Sequence, residues 1–63
     1  MLTEKIKCDD RVVILAGKYS SCIGTVFATT TDLGTGILED VMVQLDELNI
    51  EDSFLIKNVR KLN

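Results

Sequence analysis

General acid–base catalysis draws most often on histidine, and this chain of 63 residues contains none. Its two thiols, Cys8 and Cys22, therefore have no imidazole to deprotonate them, and Lys18 is the one base near Cys22 in sequence. Both thiols are expected to stay protonated. The carboxylates come as neighbours: Asp9-Asp10, Glu39-Asp40, Asp46-Glu47 and Glu51-Asp52. A shared proton or a clamped cation needs both acids on one side, whereas adjacent residues of an extended strand point to opposite faces. These pairs read as solvated charges, open to a partner rather than to a reaction. A structural zinc needs four Cys or His ligands, and only two are present. No catalytic residue, metal or cofactor is expected, and the residues read as those of a binding protein rather than an enzyme.

Length sets the next limit. One domain, residues 1–63, is all that such a chain forms, and it buries only about 60% of the surface its unfolded state exposes. A disulfide, a metal, a homo-oligomer or a bound partner commonly offsets that shortfall. The opening Met1-Leu2-Thr3-Glu4-Lys5-Ile6-Lys7 has no apolar core of a secretion signal, so Cys8 and Cys22 are expected as free thiols in a reducing, cytoplasmic setting. No membrane span is expected, because the longest aliphatic run covers residues 12–16, far short of the ~20 residues a span needs.

The net charge of −3 conceals a division along the chain. Between Tyr19 and Ile56 there is no Lys or Arg, while Asp32, Glu39, Asp40, Asp46, Glu47, Glu51 and Asp52 bring that stretch to −7. All seven bases lie in the two ends, where Lys5, Lys7, Arg11, Lys18, Lys57, Arg60 and Lys61 against Glu4, Asp9 and Asp10 leave +4. A fold that joins the termini would gather these bases at one end and the acids elsewhere.

The elements that carry these charges are strands. No long window has a helical stripe, whereas residues 23–30 alternate Gly24, Val26, Ala28 against Thr25, Phe27, Thr29, and residues 38–46 alternate Val41, Val43, Leu45 against Met42, Gln44, Asp46. Arg11-Val12-Val13-Ile14-Leu15 is apolar on both alternating faces, as in a strand covered on both sides. Residues 53–57 continue as a fourth strand, Asn58-Val59-Arg60 suits a single 3₁₀ turn, and Lys61-Leu62 closes the sheet. Gly17 begins one turn, residues 31–36 form a hairpin loop, and residues 46–52 make a third connection in which Leu48 and Ile50 fold back as a lid or form a short helical turn. Five short strands without an intervening helix predict an all-β sandwich or barrel, its core drawn from Val12, Ile14, Val26, Val41, Val43, Phe54, Ile56 and Val59.

The run Asp10-Arg11-Val12-Val13-Ile14-Leu15-Ala16-Gly17-Lys18-Tyr19-Ser20-Ser21-Cys22-Ile23-Gly24-Thr25-Val26 resembles the KOW motif of ribosomal and transcription-elongation proteins: an aliphatic strand, a glycine turn, then Gly-x-Val seven residues after the first glycine. The closing residues 54–62 are similar to the last strands of many SH3-like barrels. The resemblance, which covers about half the chain, implies a small five-stranded SH3-like barrel with one 3₁₀ turn before the last strand. In physical terms Gly17 supplies a positive φ at the reversal, and Gly24 lets two backbones approach closely. RNA-binding members of the family carry a basic turn, whereas Ser20, Ser21, Cys22 and Ile23 stand here and only Lys18 is cationic.

Ranked by this reading, the first function is an accessory or regulatory module docking by protein–protein contacts on a larger assembly, which the resemblance implies to be the transcription or translation machinery. Its acidic face, Glu39, Asp40, Asp46 and Glu47, would meet a basic partner, with Leu33, Leu38, Met42, Leu48 or Leu55 as apolar anchors. The second is RNA or DNA binding through Lys18, Tyr19, Lys57, Arg60 and Lys61, Tyr19 either stacking on a base or covering the barrel. A small SH3-like accessory subunit of a photosynthetic or other electron-transfer complex, and an acidic inhibitor, follow.

Overall fold

The computed structural model describes residues 6–62; Glu4 and Lys5, counted among the charged ends above, lie outside them. Five antiparallel strands form one sheet: β1 (Arg11–Ile14), β2 (Ile23–Thr31), β3 (Leu38–Leu45), β4 (Glu51–Leu55) and β5 (Val59–Lys61), in the order β4-β3-β2-β1-β5. A 3₁₀ turn, Ile56–Asn58, joins β4 to β5. β-branched residues supply most of β1 and β2, as suits a pleated surface packed on one side.

That order forces curvature. β4 and β5 occupy opposite edges, which in a flat five-stranded sheet would stand roughly 19 Å apart. From Leu55 to Val59 the chain spans at most about 14 Å. The sheet therefore curls on itself, bringing the 3₁₀ turn against β3. No ladder joins β4 to β5, so among the described strands the sheet is curled but not closed.

The concave side holds Ile6, Val12, Ile14, Val26, Val41, Val43, Leu45 and Val59, all buried, with Tyr19, Cys22, Leu38, Phe54 and Ile56 packed around them. Six of the eight expected core residues are fully inside. Phe54 and Ile56 are half-buried instead, while Ile6 and Leu45 take full places. The 3₁₀ turn comes two residues earlier than the sequence suggests, so Ile56 leaves the fourth strand and Val59 enters the fifth. Leu48 and Ile50 are 48% and 38% exposed, which makes residues 46–50 an open turn rather than a lid or helical turn. Asn49 takes a φ of 51° there, a conformation asparagine tolerates well.

Both glycines of the first hairpin have the roles expected of them. Gly17 has a φ of 90°. Gly24 is buried between Val12 of β1 and Leu45 of β3, its register partners on either side. Before β1, Asp9 N–H donates to the Val26 carbonyl and Val26 N–H to the Asp10 carbonyl, extending pairing along β2 by one residue.

Asp10 locks this entry. Its Oδ2 accepts the Lys7 backbone N–H at 3.0 Å and lies 3.6 Å from Lys61 Nζ. The Lys7 amide first, and the Lys61 charge after it, hold the carboxyl below its ordinary value of 3.8. A depressed native pKa contributes stability that is present above 3.8 and disappears as pH falls through the lower native value. Asp10→Asn should therefore melt below the parent at neutral pH, and the two melting curves should converge on acidification well below 3.8. An unchanged gap at acid pH would refute this role.

Candidate partner-binding surfaces

β3 carries one acidic pair at each end. Glu39 and Asp40 lie at its start, near the tip of the β2–β3 hairpin, and Asp46 and Glu47 follow its last residue. At about 3.3 Å per residue, Asp40 and Asp46 stand roughly 20 Å apart, so the four acids do not make a single face. Asp46 is also committed to Arg11: its Oδ1 and Oδ2 accept from Nη1 at 3.0 Å and Nη2 at 2.5 Å. Arg11 Nη1 also donates to Thr25 Oγ1 at 3.0 Å, and Asp46 holds the guanidinium pKa above its ordinary value. This pair bridges β1 to the end of β3 across β2, a result of the Arg11–Thr25–Gln44 register. The expected separation of basic and acidic ends therefore fails where the curled sheet brings them side by side.

The basic set is dispersed as well. Lys18 and Tyr19 sit in the β1–β2 loop, which meets the 3₁₀ turn through the Leu15 N–H donated to the Asn58 carbonyl at 2.8 Å. Lys57 is exposed in that turn. Arg60 is exposed opposite Val13, whereas Lys61, the next residue of β5, turns to the other face beside Asp10. Tyr19 is half-buried, its ring edge-on to Phe54 with centroids 6.2 Å apart and Lys18 Nζ 5.4 Å from its own centroid. It packs against the core and Phe54, with the Lys18 ammonium over the ring.

The apolar anchors divide differently. Leu33 is fully exposed at the hairpin tip and Ile37 is 64% exposed beside it, with Asp32, Glu39 and Asp40 nearby in the chain. Ile37 was absent from the anchors expected, having no alternating pattern around it to signal exposure. Leu38, by contrast, is half-buried against the core. The loop is ordered by short-range bonds: Asp32 Oδ1 accepts from Gly34 N–H at 2.7 Å, and Gly36 N–H donates to the Asp32 carbonyl at 2.7 Å. Met42 and Leu55 are exposed on the convex side, where Met42 faces Ser53 and Leu55 faces Asp40.

Two shallow hollows lie beside the Arg11–Asp46 pair. One, about 120 Å³, is lined by Cys22, Ile23, Leu45, Asp46, Glu47 and Leu48; the other, about 330 Å³ and wide open, by Thr25, Gln44, Leu45, Asp46 and Asn49. Ligand pockets that enclose a small molecule typically hold ~300–1,000 Å³ behind walls. Cys8 is exposed and Cys22 half-buried, both as free thiols. Among the described residues no three His, Cys, Asp or Glu side chains converge as metal ligands, and no helix is long and apolar enough to cross a membrane. Comparison with protein families, curated proteins and solved structures finds no match.

Proposed function

We propose that this chain is an SH3-like barrel of the KOW type acting as a non-catalytic module that docks by protein–protein contacts on a larger assembly. The strand order β4-β3-β2-β1-β5, the 3₁₀ turn before the last strand and the Gly17–Gly24 hairpin support the fold part of this reading. The observation that carries the binding part is the hairpin tip: Leu33 fully exposed and Ile37 64% exposed, in a chain segment that also holds Asp32, Glu39 and Asp40. Apolar anchors that become desolvated at the centre of a contact supply most of its energy, and a charged rim sets orientation and on-rate. The fitting partner presents an apolar pocket with basic residues around it. Nucleic-acid binding is the weaker reading, since Lys61 lies against Asp10 and Tyr19 against Phe54.

Affinity capture compared across variants tests this. Leu33→Ser with Ile37→Ser should abolish capture of the specific partner, while Lys18→Ala with Arg60→Ala and Lys61→Ala should leave it in place. Reversing Glu39 and Asp40 to Lys should slow association about tenfold with a smaller change in dissociation. Capture that survives the double Ser change but is lost in the triple Ala variant would overturn the proposal.

A further inference from the structure

The end of β3 away from the hairpin tip borders the smaller hollow. Its space of about 120 Å³ lies between Cys22 and Ile23, where β2 begins, and Asp46, Glu47 and Leu48 of the β3–β4 turn, with buried Leu45 beneath. Hydrogen bonds fix both walls. Ile14 N–H donates to the Cys22 carbonyl and Asp46 N–H to the Ile23 carbonyl, while Leu45 N–H donates to the Ile50 carbonyl and Gln44 Nε2 to Asn49 Oδ1. The hollow is thus formed before any ligand arrives, which lowers the ordering cost of binding. Ile23 and Leu48 stand exposed on its two sides. The entry and exit of the described chain lie at the other end of β1, where Val26 N–H donates to the Asp10 carbonyl and Leu62 N–H to the Arg11 carbonyl.

Size selects a single side chain as occupant. An engineered apolar cavity of ~150 Å³ takes one benzene ring, so about 120 Å³ suits one Leu-, Ile- or Met-sized group. Charge selects what flanks that group. Asp46 turns its carboxylate to Arg11, Glu47 stands at the rim, and no Lys or Arg lines the hollow. A cation beside the inserted side chain meets Glu47 favourably, and an acid there meets it unfavourably. We infer that this hollow is a second docking site, taking one aliphatic side chain flanked by Lys or Arg from an extended segment of a partner protein. The eight residues of β3, roughly 23 Å long, separate it from the hairpin tip, so the inference stands whether or not the tip docks a partner.

Cys22 lines the hollow, whereas Cys8 is exposed in the turn before β1. Iodoacetamide labelling of the whole protein, read at each thiol by mass spectrometry, therefore reports occupancy against an internal control. The probe is the acetylated, amidated pentapeptide Gly-Lys-Leu-Lys-Gly. A contact of one side chain suits a Kd of about 1 mM, so ~5 mM peptide should slow Cys22 labelling about sixfold and leave Cys8 unchanged. Gly-Lys-Ser-Lys-Gly should give no protection, and Gly-Glu-Leu-Glu-Gly less than about twofold. Glu47→Lys and Leu48→Ala should each cut the protection to about twofold while melting as the parent does. Leu33→Ser with Ile37→Ser, at the tip, should keep it in full. Equal protection by the Leu and Ser peptides, equal protection of Cys8, or a Cys22 that labels only on unfolding would overturn the inference. Protection that rises with protein concentration in the absence of peptide would assign the hollow to a second copy and overturn it too, as would protection lost in the tip variant.

Discussion

Gly24→Val is expected to leave the protein largely unfolded at room temperature. A Cβ at Gly24 would stand 2.5 Å from Val43 Cγ1 and nearer still to the Gln44 carbonyl oxygen, and the second of these neighbours is backbone held in the β2–β3 ladder. Overpacking of a fitted core costs about 1–3 kcal/mol when side chains yield, and more when backbone must move. Small domains sit near the low end of the ~5–15 kcal/mol of native stability. Gly34→Ala provides the contrast. Its Cβ would meet only Asp32 Oδ1, at 3.3 Å, in an exposed loop, and its φ is not positive. That change should cost no more than about 1 kcal/mol. Circular dichroism melts decide the matter, and comparable losses in the two variants would contradict the close approach at Gly24.

Leu45→Ala should rank next, with a loss of about 2–5 kcal/mol. Leu45 is 1% exposed and closes one end of the core beside Gly24, its register partner on β2. Its N–H also donates to the Ile50 carbonyl at 2.8 Å, and this bond is unaffected by truncation, so the loss would report packing alone. Leu48→Ala, three residues on and half exposed, should change the urea midpoint little. A similar shift for both would mean that the turn, and not the strand, closes the core.

Alternation located the strands because one face of each is covered and the other wet, and β3 shows this most clearly in Val41, Val43 and Leu45 against Met42 and Gln44. Leu45 was visible on the inner face, yet its place at the strand's end concealed full burial. Ile6 had no alternating neighbours to mark it. In β2 a register shift between Val26 and Ala28 sets Ala28 opposite Met42 and Thr29 opposite Val41, yet Ala28 stays half-buried and Phe27 and Thr29 exposed, as the alternation suggests. Ile56 continued the pattern of Phe54 but belongs to the turn, because a chain crossing from one sheet edge to the other must leave the strand early. The Arg11–Asp46 pair joins residues 35 apart through two strand registers. No local pattern encodes such a contact, so charge counted along the chain gave the wrong distribution in space. The hairpin tip was partly legible: Leu33 between glycine-rich turn residues signalled exposure, while Ile37 did not.

Binding of a labelled single-stranded RNA at physiological salt, followed by fluorescence anisotropy in parent and Lys18→Ala, tests most directly whether the apolar tip or the basic residues form the docking surface. Phosphate contacts give nucleic-acid binding a steep loss of affinity with salt, and they need available cations. With Lys61 at Asp10 and Arg11 at Asp46, no saturable micromolar binding is expected, and Lys18→Ala should leave the weak low-salt signal nearly unchanged. Micromolar affinity at physiological salt that vanishes in Lys18→Ala would contradict the protein-docking account.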